Sequence, residues 1–252
     1  MTTAILRLPY RIASLPRLSL IVRAGLAARG SIGAGLAVKA GGAAAVPSWW
    51  LVAGKTCIAA YQPKGAGSLP LSYVNLANPG TYDAAPGVAP TWASATGWTG
   101  NGSTMYLDTG WTPEADQSKS ILIRYSGYTS GADIALSSIY IISGTLQSFG
   151  IIRSNANTAY FRNGSQLPVT ITGQTAGVLA VAGNKAYING VDGGISISSD
   201  SNAFSGTLPI LAGWNNGSIG NYFAGSVQAV AIYSDTLTAG EVAVVSAAMA
   251  AL

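Results

Sequence analysis

The sequence predicts an all-β protein: an antiparallel β-sandwich closed by a short C-terminal helix and preceded by an irregular or extended N-terminal arm. Three observations carry that expectation. From residue 51 onward, short runs of β-branched and aromatic residues recur between clusters of Gly, Asn, Ser and Pro, the pattern of many strands joined by tight turns. The chain holds 32 Gly and 11 Pro, and only 9% of its residues are charged, against the ~25% of an ordinary domain. A helical pattern with a start signal occurs only at the C-terminal end.

The arm spans residues 1–50 and the β domain residues 51–252. Residues 1–46 carry Arg7, Arg11, Arg17, Arg23, Arg29 and Lys39 and no acid, whereas the other 206 residues hold seven bases and nine acids. The basic character therefore belongs to the arm, and the β domain is close to neutral. Leu18–Val22 is too short for the apolar core of a secretory signal, and no stretch reaches the ~20 apolar residues of a membrane span. Pro9, Pro16, Gly25, Gly30, Gly33 and Gly35 oppose the amphipathic helix of a transit peptide. Residues 24–46 form a small-residue tract that buries too little alone to offset its ordering entropy, so it is expected to order on a partner.

In the β domain the expected strands are Cys57–Gln62, Leu71–Leu76, Thr104–Thr109, Ser120–Tyr128, Ile134–Ile142 and Ser148–Arg153. They continue with Thr158–Arg162, Gly177–Ala182, Lys185–Ile188, Gly194–Ser198, Leu208–Gly213 and Ser226–Tyr233. Ile121, Ile123 and Tyr125 alternate with Leu122 and Arg124, as two faces of a strand require. Gly183-Asn184 and Asn189-Gly190 supply residues that tolerate positive φ in tight hairpin turns. Thr238 caps a helix over Ala239–Ala251, Glu241 completes a capping box, and Val242, Val245 and Met249 form its apolar stripe.

Three motifs in order resemble a known family. Gly97-Trp98 through Asn101-Gly102 to Tyr106-Leu107 resembles an opening strand, and Asn184-Lys-Ala-Tyr-Ile-Asn-Gly190 a central hairpin. The run from Phe223 through Gly225 and Tyr233 to Leu237 and Glu241 resembles a closing strand and short helix. Together they resemble the laminin-G-like jelly rolls of the concanavalin A-like lectin/glucanase superfamily over roughly residues 92–245. The resemblance implies a jelly-roll sandwich and leaves the function open. The opening segment, Ala59 to Gly80 followed by Trp92 and Trp98, looks like a variant found in structural proteins of tailed bacteriophages.

Composition narrows the chemistry. There is no His, which removes the usual general base and the commonest metal ligand. A single cysteine, Cys57, precludes an intrachain disulfide. Glucanases of the resembled superfamily work with a Glu-x-Asp-x-x-Glu set, and Glu114-Ala115-Asp116 matches only its first half, with Lys119 at the third carboxylate position. No catalytic residue, cofactor or metal site is therefore expected; Asp192 and Asp200 more often cap turns than hold calcium. Trp214, Asn215, Asn216 and Tyr222 combine aromatic faces with amides, the groups that stack on sugar rings and bind their hydroxyls. Trp92, Trp98 and Trp111 are alternative stacking faces, although core filling is the commoner fate of such residues. Sequons at Asn101, Asn163 and Asn216 come without a secretion signal and are read as incidental.

The function expected first is that of a non-enzymatic structural component of a tailed-bacteriophage virion: a capsid decoration, head-fibre or tail-associated protein. Its arm would hold other virion proteins through residues 1–46 while the jelly roll faces outward. The alternative is a carbohydrate-binding adhesin for host or mucosal glycans; a glycoside hydrolase is disfavoured. A homo-oligomer is expected, a trimer among the options. Nucleic acid is not an expected partner, because the arm's bases are barely interleaved with aromatics.

Overall fold

The computed structural model describes residues 48–252 apart from 115–117, 130–133, 144, 199–203, 205 and 216. Arg7, Arg11, Arg17, Arg23, Arg29 and Lys39, and with them the expected arm, lie outside the described residues, as do Asn216, Asp116 and Asp200.

In chain order the elements begin with β1 (Cys57–Tyr61), α1 (Leu69–Ser72), β2 (Ala85–Val88), β3 (Thr91–Ala93), β4 (Gly97–Thr99) and β5 (Tyr106–Asp108). Next come β6 (Ser120–Ser126), β7 (Ile134–Ser143), β8 (Thr145–Asn155), β9 (Thr158–Thr170), β10 (Gly177–Ala182), β11 (Lys185–Ile188) and β12 (Val191–Ser196). The chain closes with β13 (Pro209–Ile210), β14 (Gly213–Asn215), β15 (Ser218–Gly220), β16 (Ser226–Tyr233) and α2 (Ala239–Ala251).

The strands form the sandwich that the sequence predicts. One sheet runs β12-β11-β10-β6-β16-β4-β3, with β1 also paired to β16; a five-stranded sheet runs β15-β14-β7-β8-β9. A small sheet of β13, β5 and β2 accompanies them. The main core joins Ile121, Ile123, Leu179, Val230 and Ile232 of the large sheet to Leu136, Ile139, Phe149, Ile151 and Phe161 of the five-stranded one.

The opposite face of the large sheet is also covered. Leu122, Ala180, Ala229, Ala231 and Tyr233 pack with Val242, Val245 and Met249 of α2 and with Trp49 and Trp50. This double burial explains why all eight residues of β16 are buried and why its sequence is apolar almost throughout. The five-stranded sheet thus turns one face to the core, and its other face carries the cleft described below.

Trp49 and Trp50, placed at the end of the arm by the sequence pattern, are part of this folded domain. Their rings meet edge to face at 5.5 Å. Trp49 Nε1 donates to Gln62 Oε1 at 2.8 Å, and the Tyr233 hydroxyl donates to the Trp50 carbonyl at 2.8 Å.

Other boundaries differ as well. The expected strand Leu71–Leu76 is instead the short helix α1 and a following turn, because Ser68 caps Leu71 N–H and Pro70 occupies the first turn. Leu208–Gly213 splits into β13 and β14 at Leu211, whose φ is +67°. Helix α2 has the predicted span, with both hydrogen bonds of the Thr238–Glu241 capping box in place. No helix among the described residues is long and apolar enough to cross a membrane.

Candidate glycan-binding cleft

Strands β7, β8, β9 and β14 lie side by side, and their alternate residues face away from the core. Inward-facing Ile139, Phe149, Ile151, Ala159 and Phe161 are fully buried or nearly so. Their neighbours on the other face meet in cross-strand rows: Tyr140 with Ser148 and Gly164, Ser138 with Gly150 and Arg162, and Ala135 with Ile152 and Tyr160. Asn215 of β14 stands beside Tyr140, and Gly213 beside Ser138. Small residues at Gly150, Ser148, Gly164 and Gly213 keep the centre of this face low while the tyrosines rise around it.

The result is a cleft of about 280 Å³ whose lining includes Tyr140, Tyr160, Arg162, Gln166, Asn215 and Asn221. Arg162 reaches across the row from β9. Its Nη2 donates to Gln166 Oε1 at 2.6 Å, its Nη1 contacts Ser138 Oγ at 3.4 Å, and its guanidinium lies 4.9 Å from the Tyr140 ring centroid. Asn221, at φ +53°, brings its side chain to the cleft while its carbonyl accepts from Ala135 N–H at 2.7 Å. The set offers aromatic faces, amides and a cation, and no Asp or Glu lines the cleft among the described residues.

Of the residues singled out from sequence, the structure brings two to this place. Asn215 is exposed at the cleft, and Trp214 lines it. The Trp214 indole, however, is partly buried against the main core and sits in register with the inward-facing Ile139. Backbone at Gly206 passes so close to the six-membered ring that a Cβ there would come within 2.6 Å of it. That face is therefore closed to a sugar.

Tyr222 lies elsewhere, its ring 6.4 Å from that of Tyr106 and its hydroxyl donating to the Ile219 carbonyl at 3.3 Å. Trp98 and Trp111 are core residues, Trp98 Nε1 donating to Ser72 Oγ at 2.8 Å. Trp92 is half-buried and donates to the Pro63 carbonyl at 2.8 Å. Tyr140, Tyr160, Arg162 and Gln166 were missed from sequence, yet Tyr160-Phe161-Arg162 alternates polar or amphipathic side chains with a buried one.

The described acids have other tasks. Glu114 pairs with Lys119 at 2.8 Å. Asp83 accepts from Asn75 and Gly80 N–H, Asp108 from Gly110 N–H, and Asp235 from Thr56 N–H. Asp192 accepts from Gly194 N–H at 2.8 Å and pairs with Lys185 at 3.8 Å. Glu241 belongs to the helix cap, whose hydrogen bonds hold its carboxyl below the usual range. No group of three or more metal-ligating side chains occurs among the described residues.

A family model described as the concanavalin A-like lectin/glucanases superfamily matches residues 92–243. The chain belongs to this superfamily. Its laminin-G-type match takes in the cleft strands β7, β8, β9 and β14 and the paired strands β6, β10 and β16. No curated protein sequence matches the chain.

Among solved structures, a mutant of Trypanosoma rangeli sialidase displaying trans-sialidase activity has a TM-score of 0.54 and 12% identity. That match covers 77% of this chain and 33% of that one, so the chain spans only a third of the sialidase. The Ruminococcus gnavus IT-sialidase CBM40 has a TM-score of 0.40 and 19% identity, covering 52% of this chain and 84% of that one. At 12% identity the similarity to the Trypanosoma rangeli enzyme is one of fold alone.

Proposed function

We propose that this chain is a non-enzymatic carbohydrate-binding protein whose jelly roll is displayed on a larger assembly. The observation that carries the reading is the outward cleft of the five-stranded sheet, where Tyr140 and Tyr160 stand beside the amides of Gln166, Asn215 and Asn221. Tyrosine rings offer apolar faces to the C–H surface of a pyranose, and amides both donate to and accept from its hydroxyls. Binding without hydrolysis is part of the proposal: the rings and amides of the lining suit recognition, whereas glycosidic cleavage uses a pair of carboxylates.

A glycan array probed with the full chain tests the reading. Retention on a defined set of glycans, lost in Tyr160→Ala and Asn215→Ala, is the expected result. An array with no retained glycan would remove the proposal.

The assembly in this proposal is the particle of a tailed bacteriophage, with the protein as a capsid decoration, head-fibre or tail-associated component. The acid-free basic arm supports this placement, which also extends the resemblance read in the segment from Ala59 to Trp98. A homo-oligomer attached through residues 1–46 to other virion proteins fits both. Deleting residues 1–46 should abolish incorporation into particles; unchanged incorporation would end the anchoring idea.

A further inference from the structure

We infer that the cleft selects an acidic sugar, one carrying a carboxylate or a sulfate ester, and that Arg162 is the residue that receives the anionic group. The inference rests on the carbohydrate-binding reading above and names the class of ligand within it.

The geometry begins with Gly150. It lies between Ser138 of β7 and Arg162 of β9 in one cross-strand row, and without a side chain it leaves the middle of that row open. Arg162 spans the gap. Its Nη1 comes to 3.4 Å from Ser138 Oγ on the far strand, and its carbon Cζ to 4.9 Å from the Tyr140 ring centroid. From the β9 side, Gln166 Oε1 accepts from Nη2 at 2.6 Å. A long, normally flexible cation is thus laid across the floor of the cleft and oriented by an amide, a hydroxyl and an aromatic ring.

That arrangement suits an anion better than a neutral hydroxyl. A guanidinium presents its N–H groups as a planar fork that matches the two oxygens of a carboxylate or sulfate, and such charge-assisted bonds are about twice as strong as neutral ones. Arg162 is half-buried, so its field is screened less than that of a solvent-exposed base. The other described lining residues are neutral: side-chain amides, hydroxyls and aromatic rings, with Ile152 and Gly213. Tyr160 lies two residues before Arg162 on the same face of β9, placing an aromatic ring beside the cation. The volume of about 280 Å³ is at the small end for ligand pockets, which points to one sugar ring gripped at its acidic substituent.

Isothermal titration of the full chain tests this with three probes: oligogalacturonate, the same oligosaccharide with its carboxyls methyl-esterified, and a 6-sulfated galacto-oligosaccharide. The proteins are the wild type, Arg162→Gln and Arg162→Lys, each checked for native β structure by circular dichroism. Because the six bases of residues 1–46 are common to all three, polyanion binding by the arm would persist in Arg162→Gln. The expected result is that at least one acidic probe binds tenfold or more tightly than the ester. Arg162→Gln should erase that preference, and Arg162→Lys, which keeps the charge and loses the fork, should retain part of it. The carboxylate and sulfate arms show which anion is preferred.

Equal affinity for acidic and esterified sugar would overturn the inference while leaving carbohydrate binding intact. Acidic binding unchanged in Arg162→Gln would overturn it and assign the anion to another part of the chain. Binding to none of the three probes would overturn it too, and the glycan array then decides the broader reading separately.

Discussion

Gly150 stands directly opposite Arg162 in the β8–β9 ladder, and at φ +116° it holds a conformation that side-chain-bearing residues rarely adopt. A Cβ at this position would lie 2.1 Å from the Ser137 carbonyl oxygen and 2.7 Å from the Ser138 Cα. The clash is with backbone, at a point where the β7–β8 register already shifts between Ala135 and Ser137. The same glycine therefore lets β7 and β8 approach and leaves the cleft floor open for Arg162.

Gly150→Ala should destabilise the domain by roughly 1–3 kcal/mol, the cost of forcing a side chain into a special backbone conformation. It should also weaken glycan binding, because β7 must move to relieve the contact. Urea unfolding and the glycan array measure the two effects; a variant with unchanged midpoint and unchanged binding would refute the role given to this glycine.

Arg153 makes a second testable point. Its side chain is fully buried between the sheets, stacked 4.0 Å from the Tyr128 ring centroid. It donates to the Tyr125 hydroxyl and to the carbonyls of Gln174, Asn155 and Ala156. Replacing it by Met fills much of the volume but takes the guanidinium donors from those carbonyls, of which that of Gln174 keeps the Tyr125 hydroxyl, at about 1–3 kcal/mol for each left unpaired where water does not reach. A loss of roughly 3 kcal/mol or more in denaturant unfolding is expected. A midpoint equal to wild type would show that the carbonyls are satisfied without the guanidinium.

The cap of α2 gives an acid-side prediction. Hydrogen bonds from the Thr238 backbone and hydroxyl lower the carboxyl pKa of Glu241, with Lys55 nearby at 3.9 Å. A depressed folded-state pKa means that the contribution is present above the unfolded value, near 4.3, and is lost as pH falls through the folded value. Glu241→Ala should therefore lower Tm at pH 7 and converge with wild type near pH 2–3. A Tm difference independent of pH would contradict the charged cap.

On the alkaline side, burial pushes the Cys57 thiol up to about 12 and also raises the hydroxyls of Tyr61 and Tyr233. Groups raised in the folded state stabilise below their unfolded values and lose that contribution as pH climbs toward the folded ones. Stability should fall progressively above about pH 8.5–10, where these groups ionise in the unfolded chain. Iodoacetamide should label Cys57 slowly at pH 8 in the native protein and quickly in urea. Rapid native labelling would contradict the partly buried, protonated thiol.

The legibility of the chain in its sequence follows the same physics. Helix α2 was readable to the residue because its capping box is a local signal. The hairpins at Gly183-Asn184 and Asn189-Gly190 were readable because positive φ is needed there, at Gly183 and at both Asn189 and Gly190. Strands β2 and β3 were not, since Ala85-Pro86-Gly87-Val88 and Thr91-Trp92-Ala93 have no strand pattern of their own and exist through pairing with β5 and β4.

The cleft was half legible. An aromatic next to an amide marked Trp214-Asn215, but only the register with Ile139 reveals that the indole leans into the core. Tyr140, Tyr160 and Arg162 come together because β8 lies between their strands, and single-sequence spacing does not encode that neighbourhood.

If sugar binds on the outer face of the five-stranded sheet, amide hydrogen exchange with and without a glycan retained on the array locates it there. Ligand protection should concentrate in residues 138–140, 148–152, 160–166 and 213–215. Protection confined to the Tyr106–Tyr222 region or to the α2 side of the large sheet would contradict it.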